Sequence, residues 1–375
     1  MTTQYGFVST YPPTLCGLAT FTASMYAELV TAGGDKGSVI RAVEAQQRRP
    51  GPEVVGELVA GDAASALRAA RLLNDGDIAI VQHEYGVFGG PDGDEILLLL
   101  KELTIPSVVV LHTVLTEPTA HQREVLEAVA ALADAVVTMT ATARDRLAAR
   151  YAVDMTKVSV IPHGAPPVRN THAPVFRTGR PNVLTWGLIG PGKGIEWVIE
   201  AMAALRDLDP APHYTVAGQT HPKVLLREGE AYRAGLVDRV NALGLSASVS
   251  FESHYRSGPA LADLISSADI VVLPYDSTDQ VTTGELIEAV AALKPVNATR
   301  VPHAEELLGG GAGLLVPHKD PDAIADALRT LLGRRDLAAD MARAAVASAP
   351  ELLWPAVAER YRELADRLIT ARVAA

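Results

Sequence analysis

The chain has almost no cysteine, no surplus of positive charge and no long apolar run, and each shortage removes a class of protein. A single cysteine, Cys16, in 375 residues rules out an internal disulfide framework and fits a reducing compartment. Its plainest reading is a small half-buried filler in a loop rather than a nucleophile. Lysine and arginine number 33 against 44 aspartates and glutamates, and the net charge of −11 argues against general nucleic-acid binding, which needs a basic surface. Any phosphate site must therefore be local. No apolar stretch is long enough to cross a bilayer, and the start Met1-Thr-Thr-Gln-Tyr lacks the basic residues of a signal peptide, so a cytoplasmic location is expected. There is no short-period repeat and no low-complexity tract.

What is present is enough apolar material for two cores: 48% of residues are hydrophobic and 21% charged, in a chain too long for one ordinary core. Short apolar runs, often β-branched, predict strands at Tyr5–Ser9, Ser38–Ala42, Ile78–His83, Ser107–His112, Ala135–Thr138 and Val158–Ile161. Helical spacing between them predicts helices at Leu18–Thr31, Asp62–Asn74, Asp94–Leu103, His121–Ala133 and Thr142–Tyr151. Near-continuous apolar strands alternating with helices imply a parallel sheet covered on both faces, a Rossmann-like domain.

Prolines crowd Pro162-His-Gly-Ala-Pro-Pro-Val-Arg-Asn-Thr-His-Ala-Pro174, which marks the expected connection between domains. The alternation then restarts. Strands are expected at Asn182–Trp186, His213–Gly218, Val249–Phe251, Ile270–Pro274, Pro295–Ala298 and Gly313–Val316. Helices are expected at Gly194–Arg206, His221–Leu243, Pro259–Ser267, Gly284–Leu293 and Pro321–Leu332, with two more after Arg335. The expected organisation is α/β, with doubly wound parallel-sheet domains at 1–165 and 166–352 facing across a cleft, and a terminal helix at 353–375 as a candidate to cross back onto the first domain. Open parallel sheets bind ligands beyond the carboxyl ends of their strands.

Two stretches in the second half carry the chemistry. Trp186-Gly-Leu-Ile-Gly-Pro-Gly-Lys193-Gly194 and Thr282-Thr-Gly284-Glu285-Leu-Ile-Glu288 each follow an apolar run and open a helical pattern. Helix N-termini carry free N–H groups and hold phosphate well. Lys193 adds a mobile cation, and the glycines permit close backbone approach. Glu288, one turn further in, can take a sugar hydroxyl. Thr282 and Thr283 offer hydroxyls, although threonine is also an ordinary helix cap. Phosphate plus ribose points to a nucleotide sugar.

The ordered set of Tyr11-Pro-Pro-Thr-Leu-Cys-Gly17 after the first strand, a mid-domain strand ending in His112, Ile161-Pro-His-Gly164, Gly187 to Lys193-Gly194, Gly284 to Pro295 and Gly310-Gly-Ala-Gly313-Leu-Leu-Val-Pro317 resembles glycosyltransferase family 4 over nearly the whole chain. The resemblance implies a GT-B fold and a metal-independent, retaining transfer of a hexose from a nucleoside diphosphate sugar to a sugar or glycoside hydroxyl. The donor is a substrate, GDP-mannose ahead of UDP-glucose from the look of the subgroup, and no cofactor is implied. In residues, it makes His112 a contact to the transferred sugar, Lys193 the counter-charge to the diphosphate and Glu288 a ribose ligand, with Glu285 and Gln280 beside it. Gly17 would approach phosphate, as would Thr282, Thr283 and Gly284 from their place at a helix start. His83 and Glu84 form a second polar pair at the same sheet edge, equally an acceptor-side contact or a structural pair. Two positions depart from the family: Leu188 stands where an arginine is common, and Gln280 replaces the first glutamate of a Glu-x7-Glu pattern. Arg300 and Arg144 are candidates for the missing cation.

Other readings stand beside this one. Gly187 to Lys193 fits the Gly-x4-Gly-Lys of a P-loop hydrolase, but Gly194 stands where Ser or Thr would hold Mg²⁺. A non-catalytic nucleotide or sugar binder on the same scaffold is consistent with Leu188 and Gln280, and a sugar-nucleotide epimerase shares the architecture. Asp92-Gly-Asp94 imitates a metal-binding Asp-x-Asp, but its setting of turn formers before a helix favours a capping role, and no metal is expected there.

Overall fold

A computed structural model describes residues 2–46, 51–167, 179–256, 258–278 and 280–374. The part of the expected interdomain connection at 168–174 lies outside them. The chain divides into two units, Met1–His163 with Trp354–Ala375, and Gly164–Leu353.

In the first unit the strands are β1 (Gln4–Ser9), β2 (Lys36–Val43), β3 (Val54–Val59), β4 (Ile78–His83), β5 (Ser107–Leu111), β6 (Ala135–Thr138) and β7 (Val158–Val160). They form one sheet in the order β3-β2-β1-β4-β5-β6-β7, with every pairing parallel. All six residues of β4 and all five of β5 are buried, as a sheet covered on both faces requires. Strand order reverses between β1 and β4, so the loops leaving them open a crevice at their carboxyl ends.

The second unit repeats the plan. Its strands β8 (Asn182–Trp186), β9 (His213–Ala217), β10 (Val249–Glu252), β11 (Ile270–Leu273), β12 (Val296–Thr299) and β13 (Gly313–Val316) run parallel in the order β10-β9-β8-β11-β12-β13. Its reversal lies between β8 and β11, so the loops carrying Lys193 and Thr283 leave from the two strands that flank it.

The chain enters the second unit at Gly164 and leaves it at Leu353, and the two crossing segments are tied by Ala165 N–H donating to the Leu352 carbonyl at 2.7 Å. Trp354–Ala374 then forms a 21-residue helix of the first unit. Its Trp354, Val357, Tyr361 and Leu364 are buried with Phe7, Phe21 and Met25. Arg360 donates to the Val160 carbonyl at 2.6 Å. Among the described residues no helix is long and apolar enough to cross a membrane.

Four elements differ from the sequence reading. The edge strand β3 was not anticipated, because Gly56 and Glu57 interrupt its apolar run and only alternate residues are buried. The single helix expected over His221–Leu243 is two, Pro222–Glu228 and Ala231–Ala242, broken at Gly229 with φ 61°. A short helix at Pro302–Leu308 was also unforeseen, although Pro302 at its first turn fits the preference of proline for helix starts. The helix expected over Leu18–Thr31 changes pitch along its length: Gly17–Tyr26 is α-helical and Ala27–Ala32 a wider π turn.

Candidate active site

The turn after β8 exists because three of its glycines occupy positive φ: Gly187 at 118°, Gly192 at 88° and Gly194 at 67°. A Cβ on Gly194 would lie 1.8 Å from the Pro274 carbonyl oxygen, and one on Gly218 1.8 Å from the Gly187 carbonyl oxygen. Backbone therefore packs on backbone along β8, β9 and β11. The Gly194 clash also closes the P-loop reading, since a hydroxyl-bearing side chain has no room there. Asp276 N–H donates to the Gly192 carbonyl at 2.9 Å, and Trp197 Nε1 donates to Asp276 Oδ1 at 2.8 Å, so the loop after β11 is seated on the glycine turn.

That seating brings Lys193 to the helix Gly284–Ala291. Lys193 Nζ lies 2.7 Å from Glu285 Oε1 and 4.9 Å from the centre of the Tyr275 ring. The Thr283 hydroxyl donates to Glu285 Oε2 at 2.8 Å and meets the Tyr275 hydroxyl at 3.0 Å. Thr283 N–H donates to His303 Nδ1 at 3.0 Å. Thr283 holds the N-cap position, but its hydroxyl serves Glu285 and makes no capping bond. The Thr282 hydroxyl is buried with no partner among the described residues. Gln280 Nε2 donates to the Thr282 carbonyl at 3.2 Å, a bond that a glutamate could not make, which gives the departure at this position a local reason.

The helix itself buries Leu286, Ile287, Ala289, Val290 and Ala291, leaving Glu285 and Glu288, three residues apart, on its other face. Their chemistry diverges. Burial pushes the Glu285 carboxyl up, but the Lys193 charge, the hydrogen bond from Lys193, a helix N-terminal amide and Thr283 outweigh it and hold the group at about 2. Burial, with the Glu285 charge added, raises Glu288 to about 8, against a smaller opposing effect of Trp186 Nε1, which donates to Glu288 Oε2 at 3.0 Å. At neutral pH Glu288 is an acid that can donate as well as accept. Burial, then Glu285, lifts the Tyr275 hydroxyl well above its usual value.

Glu288 has a measurable consequence. Its folded-state value of about 8 exceeds the ordinary 4.5, so between these the folded protein binds a proton that the unfolded chain has released. This stabilisation is present in acid and is lost as pH rises through 8. The melting temperature is expected to decline from pH 6 to pH 9, and Glu288→Gln, which imitates the neutral acid, to flatten that decline. Parallel slopes in variant and parent would contradict it.

The remaining sequence candidates belong to the first unit. Gly17 begins the helix Gly17–Tyr26, where the space a Cβ would fill is open. Its cap is Cys16, whose sulfur accepts from Ala19 N–H at 3.4 Å and lies 3.1 Å from the Thr10 hydroxyl. His112 follows β5 directly, with Nε2 2.8 Å from Gln82 Oε1 and its ring edge-on to Phe21 at 5.0 Å. Burial, then the nearby His163 and His83, lowers it to about 3, so it is neutral at working pH. Glu84 does not pair with His83: its Oε2 accepts from the Thr113 hydroxyl at 2.5 Å and its Oε1 from Tyr85 N–H at 3.1 Å. His83 is buried, with both ring nitrogens unpartnered among the described residues, and is held neutral, at about 4, by that burial.

The alternative cations are both exposed and each stands near a carboxylate. Arg144 pairs with Asp145 at 2.7 Å, and Arg300 lies 3.7 Å from Glu305. The Asp92 and Asp94 carboxylates face one histidine, His121, at 2.9 and 3.6 Å. Sequence reasoning missed Tyr275, His303 and Gln82. His303 could have been found from Val301-Pro302 as a helix start, whereas nothing local marks the other two.

Comparison with known proteins bears on the family and the fold. Residues 180–334 match the family model described as glycosyl transferases group 1, and residues 24–169 match that of glycosyltransferase family 4. A D-inositol 3-phosphate glycosyltransferase of Nocardia farcinica is 31% identical over 244 residues, 62% of this chain and 52% of that protein. Its counterpart in Kineococcus radiotolerans is 30% identical over 273 residues, 68% of this chain and 60% of that one. The chain thus spans about half the length of the curated relatives it matches. Among solved structures, a glycosyltransferase from Rickettsia africae superposes with a TM-score of 0.74 at 15% identity, covering 98% of this chain and 99% of the other. Anabaena HepE in complex with UDP-glucose gives 0.73 at 16% identity, covering 98% and 100%. Two parallel α/β units with these neighbours are the GT-B fold. The chain belongs to glycosyltransferase family 4, within the group 1 glycosyl transferases.

Proposed function

We propose that this chain is a retaining hexosyltransferase that takes a nucleoside diphosphate sugar in the unit Gly164–Leu353 and a sugar or glycoside hydroxyl acceptor in the first unit, without a metal. The observation that carries this reading is the meeting of Lys193 with the first turn of Gly284–Ala291 at the strand-order reversal of a parallel sheet. An ammonium, helix amides and hydroxyls converge there, the donor set that a diphosphate needs. Glu288, held by Trp186, sits one turn in and is the group proposed to meet the ribose. In the first unit, Gly17 at the start of the helix after β1 is proposed to approach phosphate and His112 at the end of β5 the transferred sugar, with His83 and Glu84 on the acceptor side.

In the reaction the bond between the anomeric carbon and the diphosphate oxygen breaks while the acceptor oxygen bonds to the same face. The acceptor proton passes to the departing diphosphate. Lys193 stabilises the charge that grows on that leaving group. Among donors GDP-mannose is put ahead of UDP-glucose; the rival is supported by UDP-glucose bound in HepE. The relatives' name adds an inositol phosphate to the possible acceptors.

Thermal-shift titration with GDP, UDP and ADP tests the donor. A ligand bound only by the native state at 100 times its Kd adds about 2.7 kcal/mol, so a shift of several degrees is expected for one diphosphate. No shift with any of them would remove the nucleotide reading. Donor hydrolysis without acceptor separates an enzyme from a binder, and anomeric configuration in the product, read by NMR, tests retention.

A further inference from the structure

Gln82 and His112 lie on one face of the first unit's sheet, because Gln82 stands opposite Val110 in register and His112 follows Val110 by two residues. Gln82 is 0% exposed, so its amide cannot turn to water and each end must find a partner inside. Its Nε2 lies 3.8 Å from the thioether sulfur of Met25, itself fully buried, and its Oε1 2.8 Å from His112 Nε2. A thioether has lone pairs and no proton to give. The reversed amide would press Oε1 against those lone pairs and leave a buried acceptor without a donor, so Met25 decides which way Gln82 points. With Oε1 toward the imidazole, the ring must bring the hydrogen, and its second nitrogen, Nδ1, is left bare.

We infer that Met25 and Gln82 together fix His112 as the Nε2–H tautomer, so that Nδ1 faces the ligand as a hydrogen-bond acceptor only. Gln82 is then a positioning residue, and Met25 positions Gln82. A bare nitrogen repels phosphate oxygens and takes a hydrogen bond from a hydroxyl, so this tautomer suits the sugar contact proposed above and not a diphosphate. Burial of the ring keeps the second proton off at working pH. This rests on the proposed reading of His112 as a ligand contact.

Long-range ¹H–¹⁵N correlation on ¹⁵N-histidine-labelled protein reads the tautomer directly, with the His112 signals assigned by their loss in His112→Ala. The expected result is a protonated Nε2 and an unprotonated Nδ1 in the parent. In Gln82→Leu and in the nearly isosteric Met25→Leu the Nδ1–H form appears beside it. A protonated Nδ1 in the parent, or spectra unchanged in both variants, would overturn the inference. In kinetics Gln82→Leu is expected to lower kcat about tenfold with donor KM within about twofold, the scale of one lost hydrogen bond. It should cost nothing further on the His112→Ala background, and additive losses would likewise overturn the positioning role. Full activity of His112→Ala would instead remove His112 from the reaction and leave the tautomer result standing.

Discussion

Lys193→Ala is expected to lower kcat by about 100- to 1000-fold, the scale seen when one preorganised donor to a developing anion is removed. The size follows from where the ammonium stands, at the first turn of Gly284–Ala291, while Leu188 in the same glycine turn is apolar and the helix amides supply only partial charge. The leaving diphosphate gains charge as its bond to the sugar stretches, so the ammonium gains more in the transition state than in the bound donor, and kcat suffers more than KM. Folding should suffer little. Lys193 is 23% exposed, and Glu285 keeps the Thr283 hydroxyl after its partner is gone. A cost of about 1–2 kcal/mol is expected. Steady-state rates alongside a circular-dichroism melt check both parts; a folded variant with an unchanged rate takes Lys193 out of the mechanism. The same variant should show a second effect. Once the ammonium is gone, burial is opposed only by the helix amide and Thr283, so the Glu285 carboxyl must rise from about 2 and the acid limb of the stability profile should move to higher pH.

Sequence reasoning reached the sheets and the glycine turn because both are written locally. The apolar runs of β4, β5 and β11 and the glycines at 187, 192 and 194 need no partner to be recognised. It failed where a neighbour decides. β3 is an edge strand whose alternate residues face outward, so its apolar signal is halved, and the break at Gly229 depends on one backbone angle inside a helix-like pattern. In the site, Lys193, Thr283 and Glu285 were legible as residue types, but the ion pair between Lys193 and Glu285 spans 92 positions and the Trp186 bond to Glu288 spans 102. Lys193 was expected as a cation for phosphate and stands paired with Glu285. Glu288 was expected as an acceptor, and burial together with Glu285 raises its carboxyl. Neither partnership has any trace in the local pattern.

Two glycines of this region should differ sharply in what the same substitution costs in stability, and the contrast separates what the fold needs from what the ligand needs. Gly218→Ala places a Cβ 1.8 Å from the Gly187 carbonyl oxygen at φ 142°, a backbone region nearly closed to other residues. The backbone strain alone is about 1–3 kcal/mol, and relief of the overlap must push β9 from the turn that carries Lys193. A loss of several kcal/mol, on the order of a third or more of a typical domain's stability, is expected in urea unfolding, together with loss of nucleotide binding. Gly192→Ala also sits at positive φ, 88°, yet nothing lies within 4 Å of the new methyl group. Its stability cost should stay near about 1 kcal/mol. The open space beside Gly192 adjoins Lys193 and is where the diphosphate is proposed to lie, so this stable variant should still lose about tenfold in donor affinity, the equivalent of about 1.4 kcal/mol. Calorimetric titration of the nucleoside diphosphate into both folded proteins decides the matter. If Gly192→Ala binds as tightly as the parent, the space is not occupied by ligand, and the phosphate must be sought elsewhere on the carboxyl edge of the sheet.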